Sequence, residues 1–277
     1  MPIQLTTPLR GLARIKAVFA KNRRHYVQEA LGLAIFMLAA CFFGAELFSS
    51  RGFLFNLIPD PLVRQLVMGL MMGLTALVIF YSPWTSPSGS QINPAVTLSF
   101  LMLGRMCRYD AVFYILFQFA GATAATLGMS WLMGPILTDS PVNTVVTVPG
   151  PGGWLPALTT ELSIAFITML AVLLLTGHSI LKRYTRLISA GLVCTWVLIA
   201  GPVSGFGMNP ARSFASALTA GIWTHFWIYL LAPVAAMLFA TVVYRRILAI
   251  RAEKDKRVFV RVVKKTKELI EPLEYLL

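Results

Sequence analysis

Two stretches of the chain share the triplet Asn-Pro-Ala: Val203–Phe214, which reads VSGFGMNPARSF, and, upstream, Ser86–Phe100, which reads SPSGSQINPAVTLSF. In each stretch the triplet follows a segment with Gly and Ser and precedes a short apolar run. Asn is a favoured N-cap because its side-chain oxygen accepts from the free amides of the first helical turn, and Pro suits the first helical position. Each stretch therefore predicts a loop that leads into a helix capped by Asn93 or Asn209.

The two predicted helices are short. Gly104 follows the first and Gly221 the second after roughly ten residues, which at about 1.5 Å per residue gives half of the ~30 Å hydrocarbon core. Two such half-helices that enter from opposite sides make one span, with their positive N-terminal ends near the midplane. An interrupted helix is tolerated there when its irregular backbone is buried in protein or lines a water-filled path.

The composition is that of a membrane protein. Hydrophobic residues make up 57% and charged residues 13% of the chain, and mean hydropathy is +0.73. Soluble domains average roughly 45–50% and about 25%. Six apolar runs are predicted to cross a bilayer, approximately 26–48, 62–81, 111–133, 157–177, 187–201 and 222–244.

The net charge of +13 is best explained by membrane orientation. Six spans place both termini on one side, and that side holds all of the 24 lysines and arginines except Arg51, Arg64 and Arg212. Because Lys and Arg concentrate in cytoplasmic segments, both termini are predicted to be cytoplasmic. The charge is divided among four segments and forms no single groove, so nucleic acid is not an expected partner.

Two acidic residues lie inside predicted spans, Glu29 in the first and Glu161 in the fourth. A buried ionisable group normally faces the bundle interior and has a partner. Each Glu precedes an Asn-Pro-Ala triplet in its own half, which indicates an inverted internal repeat with its site at the repeat interface. We predict an all-α membrane protein of six transmembrane helices and two re-entrant half-helices, in which each carboxylate accepts from the amides of a loop.

This reading divides the chain into three parts. Residues 1–25 form a basic cytoplasmic segment, either an amphipathic helix on the inner leaflet or a solvated tail. Residues 26–244 form the bundle, with repeats at 26–133 and 157–244. Residues 245–277 form a basic cytoplasmic tail, for which a regulatory or membrane-surface role is an alternative. The sequence offers no metal-ligand spacing among its three cysteines, no catalytic constellation and no phosphate loop, so we expect no enzyme, metal or cofactor.

The two triplets, Arg212 directly after the second, Glu29, Glu161 and the APVAAM run of the sixth span together resemble the major intrinsic protein family of aquaporins and aquaglyceroporins. The resemblance covers roughly residues 26–244. It implies a right-handed bundle assembled as a homotetramer, with one pore in each subunit and a location in the cell membrane. It also makes both triplets part of the pore: Asn93, Pro94, Ala95, Asn209, Pro210 and Ala211.

In relatives four positions form an outer constriction, and the resemblance places them at Phe206, Arg212, Val197 and one of Met72 or Gly73. Water-specific members have His at the position of Val197. Phe206 resembles the glycerol-conducting branch, but Ser213 replaces the Asp that this branch usually has. These features imply a wider and less polar constriction than a water-specific one.

We therefore predict a passive channel for water and small neutral solutes such as glycerol. Asn93 and Asn209 would donate to the passing oxygen, and the loops before them would offer carbonyl acceptors. Arg212 and the two half-helix N-termini would repel cations, as in the aquaporin-type barrier. Two alternatives remain open: a water-only aquaporin, and an ion-coupled secondary transporter, which would also use broken helices.

Overall fold

The computed structural model describes residues 11–274, with side chains up to residue 254. The parts of the predicted terminal segments at residues 1–10 and 275–277, and the side chains of residues 255–277, lie outside the described residues. The α-helices are α1 (Leu12–Phe48), α2 (Phe53–Leu57), α3 (Pro61–Tyr81), α4 (Pro94–Met102), α5 (Arg108–Met133), α6 (Pro135–Thr138), α7 (Trp154–Thr176), α8 (Thr185–Ser204), α9 (Pro210–Ala220) and α10 (Phe226–Glu274).

Six of these helices are long and apolar enough to cross a membrane: α1, α3, α5, α7, α8 and α10. The half-helices α4 and α9 have 9 and 11 residues, which corresponds to about 14 and 17 Å of rise. No strand occurs among the described residues. The predicted all-α fold with six spans and two half-helices is confirmed.

Two helices differ from the predicted boundaries. The helix α1 begins at Leu12 instead of near residue 26, and α10 continues to Glu274 instead of ending near residue 244. Residues 12–25 and 234–271 contain neither Gly nor Pro, so no residue interrupts the backbone where hydrophobicity ends. Hydropathy marks the apolar part of a helix, whereas the helix itself ends at a breaker or a cap.

The two halves of the chain repeat one pattern of contacts. In the first half α1 packs on α3 and α5, and in the second half α7 packs on α8 and α10. Each half-helix is also held by the other half, because α4 contacts α10 and α9 contacts α5. The helices α3 and α8 pack on each other across the interface between the repeats. Because each half-helix contacts the opposite half of the chain, the N-termini of α4 and α9 lie together in the middle of the bundle.

Small residues allow the spans to approach closely. A Cβ placed on Gly121 of α5 would lie 2.2 Å from the Ala30 carbonyl oxygen of α1, and a Cβ on Gly73 of α3 would lie 2.7 Å from the Cys194 Cβ of α8. Helix bundles in membranes depend on such close packing. A helix gains no hydrophobic free energy when it exchanges contact with lipid for contact with another helix.

Candidate functional site

The N-termini of α4 and α9 are capped by the two asparagines of the repeated triplet. Asn93 Oδ1 accepts from Ala95 N at 2.9 Å, and Asn209 Oδ1 accepts from Ala211 N at 3.1 Å and from Arg212 N at 3.3 Å. Pro94 and Pro210 occupy the first helical positions. These capping hydrogen bonds occupy the side-chain oxygens of Asn93 and Asn209. The side-chain nitrogens of the two residues point out of their own helices.

The asparagine nitrogens join the two half-helices. Asn93 Nδ2 donates to the Met208 carbonyl at 2.9 Å, and Asn209 Nδ2 donates to the Ile92 carbonyl at 2.7 Å. Each bond uses one of the two N–H groups of a carboxamide. One N–H of each side chain is therefore left for another acceptor, and both residues line the same cavity.

The carboxylate of Glu29 accepts four hydrogen bonds. Its Oε1 accepts from Ser88 Oγ at 2.6 Å and from Gln91 N at 2.9 Å, while its Oε2 accepts from Ile92 N at 2.6 Å and from Gln118 Nε2 at 2.8 Å. The side chain is fully buried. The carboxylate therefore accepts from loop amides that would otherwise have no hydrogen-bond partner. Inside a membrane each unpaired backbone group costs several kcal/mol.

Glu161 does the same in the second half, with three bonds. Its Oε1 accepts from Ser204 Oγ and from Gly207 N, both at 2.7 Å, and its Oε2 accepts from Met208 N at 2.6 Å. A Cβ on Gly207 would lie 2.5 Å from a ring carbon of Tyr229 and 3.2 Å from Glu161 Oε2, so only Gly allows this approach.

The loops before the asparagines have an unusual backbone. Ser90 and Ile92 in the first loop, and Phe206 and Met208 in the second, have φ between 41° and 51°, the left-handed region that non-Gly residues rarely occupy. Strain of this kind persists only where surrounding contacts hold it. Glu29 and Glu161 accept from the amides of Ile92 and Met208, and the hydroxyls of Ser88 and Ser204 accept from those of Ser90 and Phe206.

Three consecutive carbonyls in each loop accept no hydrogen bond from the described part of the chain. They belong to Gly89, Ser90 and Gln91 in the first loop, and to Gly205, Phe206 and Gly207 in the second. All six residues line a cavity. Each loop thus presents a row of free acceptors to an internal space.

Two cavities lie on opposite sides of the asparagine pair. The first, of about 320 Å³, extends from the two loops to Lys182 and Arg186, at the end of the bundle that is predicted to be cytoplasmic. The second, of about 260 Å³, extends to Val142 and Val145 in the loop between α6 and α7. Phe36 and Phe206 line both cavities. The two spaces therefore meet at these aromatic rings.

The residues of the predicted constriction fall together on the second cavity. Met72, Val197, Phe206 and Arg212 line it, and each has less than a tenth of its surface exposed. Of the two alternatives in α3, Met72 lines the cavity, while Gly73 is packed against Cys194 of α8 and lines neither cavity. Arg212 Nε and Nη1 are buried without a partner among the described residues.

Sequence reasoning missed three residues that the structure brings to this site. Phe36 follows Glu29 by seven residues and Gln65 precedes Met72 by seven, so each shares a helix face with a recognised residue. Gln118 is a polar residue inside the third predicted span, and that position is the sequence signal that could have identified it. A search for residues two helical turns from the predicted site would have found Phe36 and Gln65.

The fold and the site define a polytopic α-helical membrane protein with two re-entrant half-helices that meet inside the bundle. A sequence model of the family described as "Major intrinsic protein" matches residues 16–244. The chain belongs to the major intrinsic protein family, and it is an integral, multi-pass membrane protein.

Similar proteins include several plant aquaporins. The chain is 31% identical over 166 residues to "Probable aquaporin TIP4-1" of Oryza sativa subsp. japonica, covering 59% of this chain and 64% of that protein. It is 35% identical to "Aquaporin TIP4-3" of Zea mays, covering 57% and 62%, so these matches span just over three fifths of both relatives. It is 28% identical to "Aquaporin NIP1-1" of Arabidopsis thaliana, covering 87% and 79%.

A solved structure supports the fold independently. The chain resembles the aquaglyceroporin from Plasmodium falciparum with a TM-score of 0.66 at 22% sequence identity, over 83% of this chain and 98% of the other. At this identity the likeness establishes the architecture alone.

Proposed function

We propose that the chain is a passive transmembrane channel for water and small neutral solutes such as glycerol, and that it excludes ions and protons. One observation carries this proposal: two cavities open from opposite sides of the paired asparagines and share Phe36 and Phe206. The family membership and the names of the plant relatives point the same way.

The walls of the path suit a neutral solute that carries hydroxyl groups. The free carbonyls of Gly89–Gln91 and Gly205–Gly207 accept the hydrogen bonds that water would otherwise take, which lowers the cost of dehydration. The facing wall is apolar, with Leu33, Phe36 and Val193 on the first cavity. The remaining N–H groups of Asn93 and Asn209 donate to the solute oxygen where the two half-helices meet.

Cations meet positive charge at two places along the path. The N-termini of α4 and α9 carry the positive ends of their helix dipoles toward the asparagine pair. Arg212 lies in the first turn of α9 and lines the second cavity, and two of its nitrogens have no partner within the described part of the chain. Both positive sites oppose cations, whereas a neutral solute meets no such electrostatic barrier.

The constriction determines which neutral solutes pass. We propose that Met72, Val197, Phe206 and Arg212 form it, so that only Arg212 offers hydrogen-bond donors from a side chain. A polyol can turn its C–H face toward the three apolar side chains and a hydroxyl toward Arg212. A water-only channel is the second candidate, and it differs from the first in glycerol flux alone.

An ion-coupled transporter is disfavoured by the contacts of the buried carboxylates. All oxygens of Glu29 and Glu161 accept from loop groups, and neither residue lines a cavity, so neither is placed to exchange a proton with a solute. We also propose cytoplasmic termini, from the distribution of Lys and Arg, and a homotetramer in the cell membrane, from the family resemblance. Native mass spectrometry would measure the subunit number.

The first test is Val197→His. A larger side chain with two ring nitrogens narrows the constriction and adds polarity, so glycerol uptake should fall about tenfold or more, since steric exclusion of roughly 1.4 kcal/mol already gives tenfold. Stopped-flow light scattering on proteoliposomes measures water efflux and glycerol reswelling separately. Water flux is expected to stay within about twofold. Wild-type glycerol uptake no faster than that of empty liposomes would support the water-only alternative.

The exclusion of protons is tested with Arg212→Val. Arg212 lines the path. Two unit charges at a separation of ~6 Å and an effective dielectric of about 20 repel by roughly 3 kcal/mol, so removing the charge should raise proton leak by about two orders of magnitude. A pH-sensitive dye trapped in liposomes reports the leak under a potassium diffusion potential. Lys182→Gln, at the wide mouth of the first cavity, serves as the charge-matched control. Equal leaks in both variants would argue against a barrier at Arg212.

A further inference from the structure

A groove on the outside of the bundle lies between α1 and α5, beside the C-terminal end of α3. It has a volume of about 510 Å³, and its apolar floor is formed by Phe19 and Val27 of α1 and Phe117 of α5. Trp84, three residues after the end of α3, forms its side and is 72% exposed. The groove is separate from both cavities of the proposed channel, with which it shares no residue.

Two arginines border this groove. Arg23 and Arg24 are exposed and line it together, and no acidic residue does so. Several other arginines at this end of the bundle each stack on an aromatic side chain. Arg105 stacks on Phe100, and Arg186 stacks on Tyr81. Within the described part of the chain, Arg23 and Arg24 have neither a ring partner nor an ion pair. Their donors are available to an external anion.

The groove lies at the boundary between water and hydrocarbon. Arg23 and Arg24 precede the apolar run of α1 by one turn, and Trp84 follows the apolar run of α3. Trp is enriched at the level of the lipid headgroups, and basic residues at this depth attract anionic lipid. An occupant therefore meets positive charge at its polar end and an apolar floor beyond it.

We propose that this groove binds one anionic phospholipid, with its phosphate on Arg23 and Arg24 and an acyl chain over Val27 and Phe117, on the membrane side of the arginines. Guanidinium groups match phosphate oxygens in a bidentate geometry. A zwitterionic lipid would add an ammonium beside two cations with no carboxylate to receive it.

Trp84 provides a local measurement. Liposomes containing the purified protein receive phosphatidylglycerol or phosphatidylcholine with brominated acyl chains, which quench tryptophan on contact. Brominated phosphatidylglycerol should quench wild type at much lower mole fraction than brominated phosphatidylcholine, and Trp84→Phe should lose this excess. Equal quenching of Trp84 by the two lipids, or none by either as expected if another subunit covers the groove, would overturn the proposal.

The arginines are tested by Arg23→Gln with Arg24→Gln. Removing two surface cations should lower the preference for phosphatidylglycerol about 30-fold. The matched control is Lys16→Gln with Lys21→Gln, which removes the same charge from exposed positions of α1 outside the groove. An equal loss in the control, or displacement of the lipid by millimolar glycerol phosphate in solution, would contradict a lipid site here. Neither measurement involves transport, so both are independent of the proposed channel function.

Discussion

Replacing Gly121 by Ala is expected to prevent the bundle from forming. The added Cβ would lie 2.2 Å from the Ala30 carbonyl oxygen and 2.7 Å from the Ala30 Cα and carbonyl carbon. These atoms belong to the backbone of α1, which cannot rotate away as a side chain would. Separating α1 from α5 would also break the hydrogen bond from Gln118 of α5 to Glu29 of α1, the residue that holds the first loop. We expect a cost above about 4 kcal/mol, in the range of severe core substitutions.

Gly128 provides the matched control for this prediction. It lies two turns further along α5, and a Cβ there meets no atom within 4 Å. Gly128→Ala should therefore leave the fold intact, with at most a gain of about 1 kcal/mol from helix propensity. The readouts are the yield of monodisperse protein in detergent and the thermal unfolding midpoint. Wild-type behaviour of Gly121→Ala would show that α1 and α5 pack less closely than the structure has them.

Replacing Glu161 by Leu is expected to abolish water flux. The change leaves Ser204 Oγ, Gly207 N and Met208 N without their acceptor in the interior of the bundle. Ser204 Oγ can still donate to the Ala200 carbonyl, whereas the two amides are left unsatisfied at about 1–3 kcal/mol each, so the second loop should lose roughly 2–6 kcal/mol of support. Without that support the left-handed backbone conformation of Met208 is no longer stabilised. The Met208 carbonyl then moves away from Asn93 Nδ2, which donates to it in the structure. Stopped-flow measurements on proteoliposomes of equal protein content test the loss.

Glu161→Gln separates hydrogen bonding from charge. The carboxamide keeps one oxygen for Ser204 Oγ and Gly207 N but turns its NH2 group toward the Met208 N–H, so flux and stability should both be intermediate. Glu46→Gln is the control, because the Glu46 carboxylate accepts from Phe53 N at an exposed site where water can replace it. Solute uptake that remains coupled to protons in Glu161→Gln after passive flux is lost would contradict the proposed channel.

Much of the fold can be predicted from local features of the sequence. Asn before Pro marks each half-helix start, a glycine follows each half-helix, and hydropathy marks six spans. The start of α1 and the end of α10 were not predictable in this way, because residues 12–25 and 234–271 contain no Gly or Pro and the helices continue past their apolar runs. The length of a hydrophobic run reflects the thickness of the bilayer. It does not indicate how far the helix continues beyond the bilayer.

The sequence by itself determined the repeat, the two caps, the buried acids and the sign of the charge on each side, because these depend on residue type and spacing along one segment. Only the tertiary structure decided which residue of the pair Met72 and Gly73 lines a cavity, since one residue turns a helix face by 100°. It alone also joined Asn93 to Met208 and Asn209 to Ile92, more than a hundred residues apart. Contacts between segments depend on how helices are rotated and packed, and no local spacing carries that information.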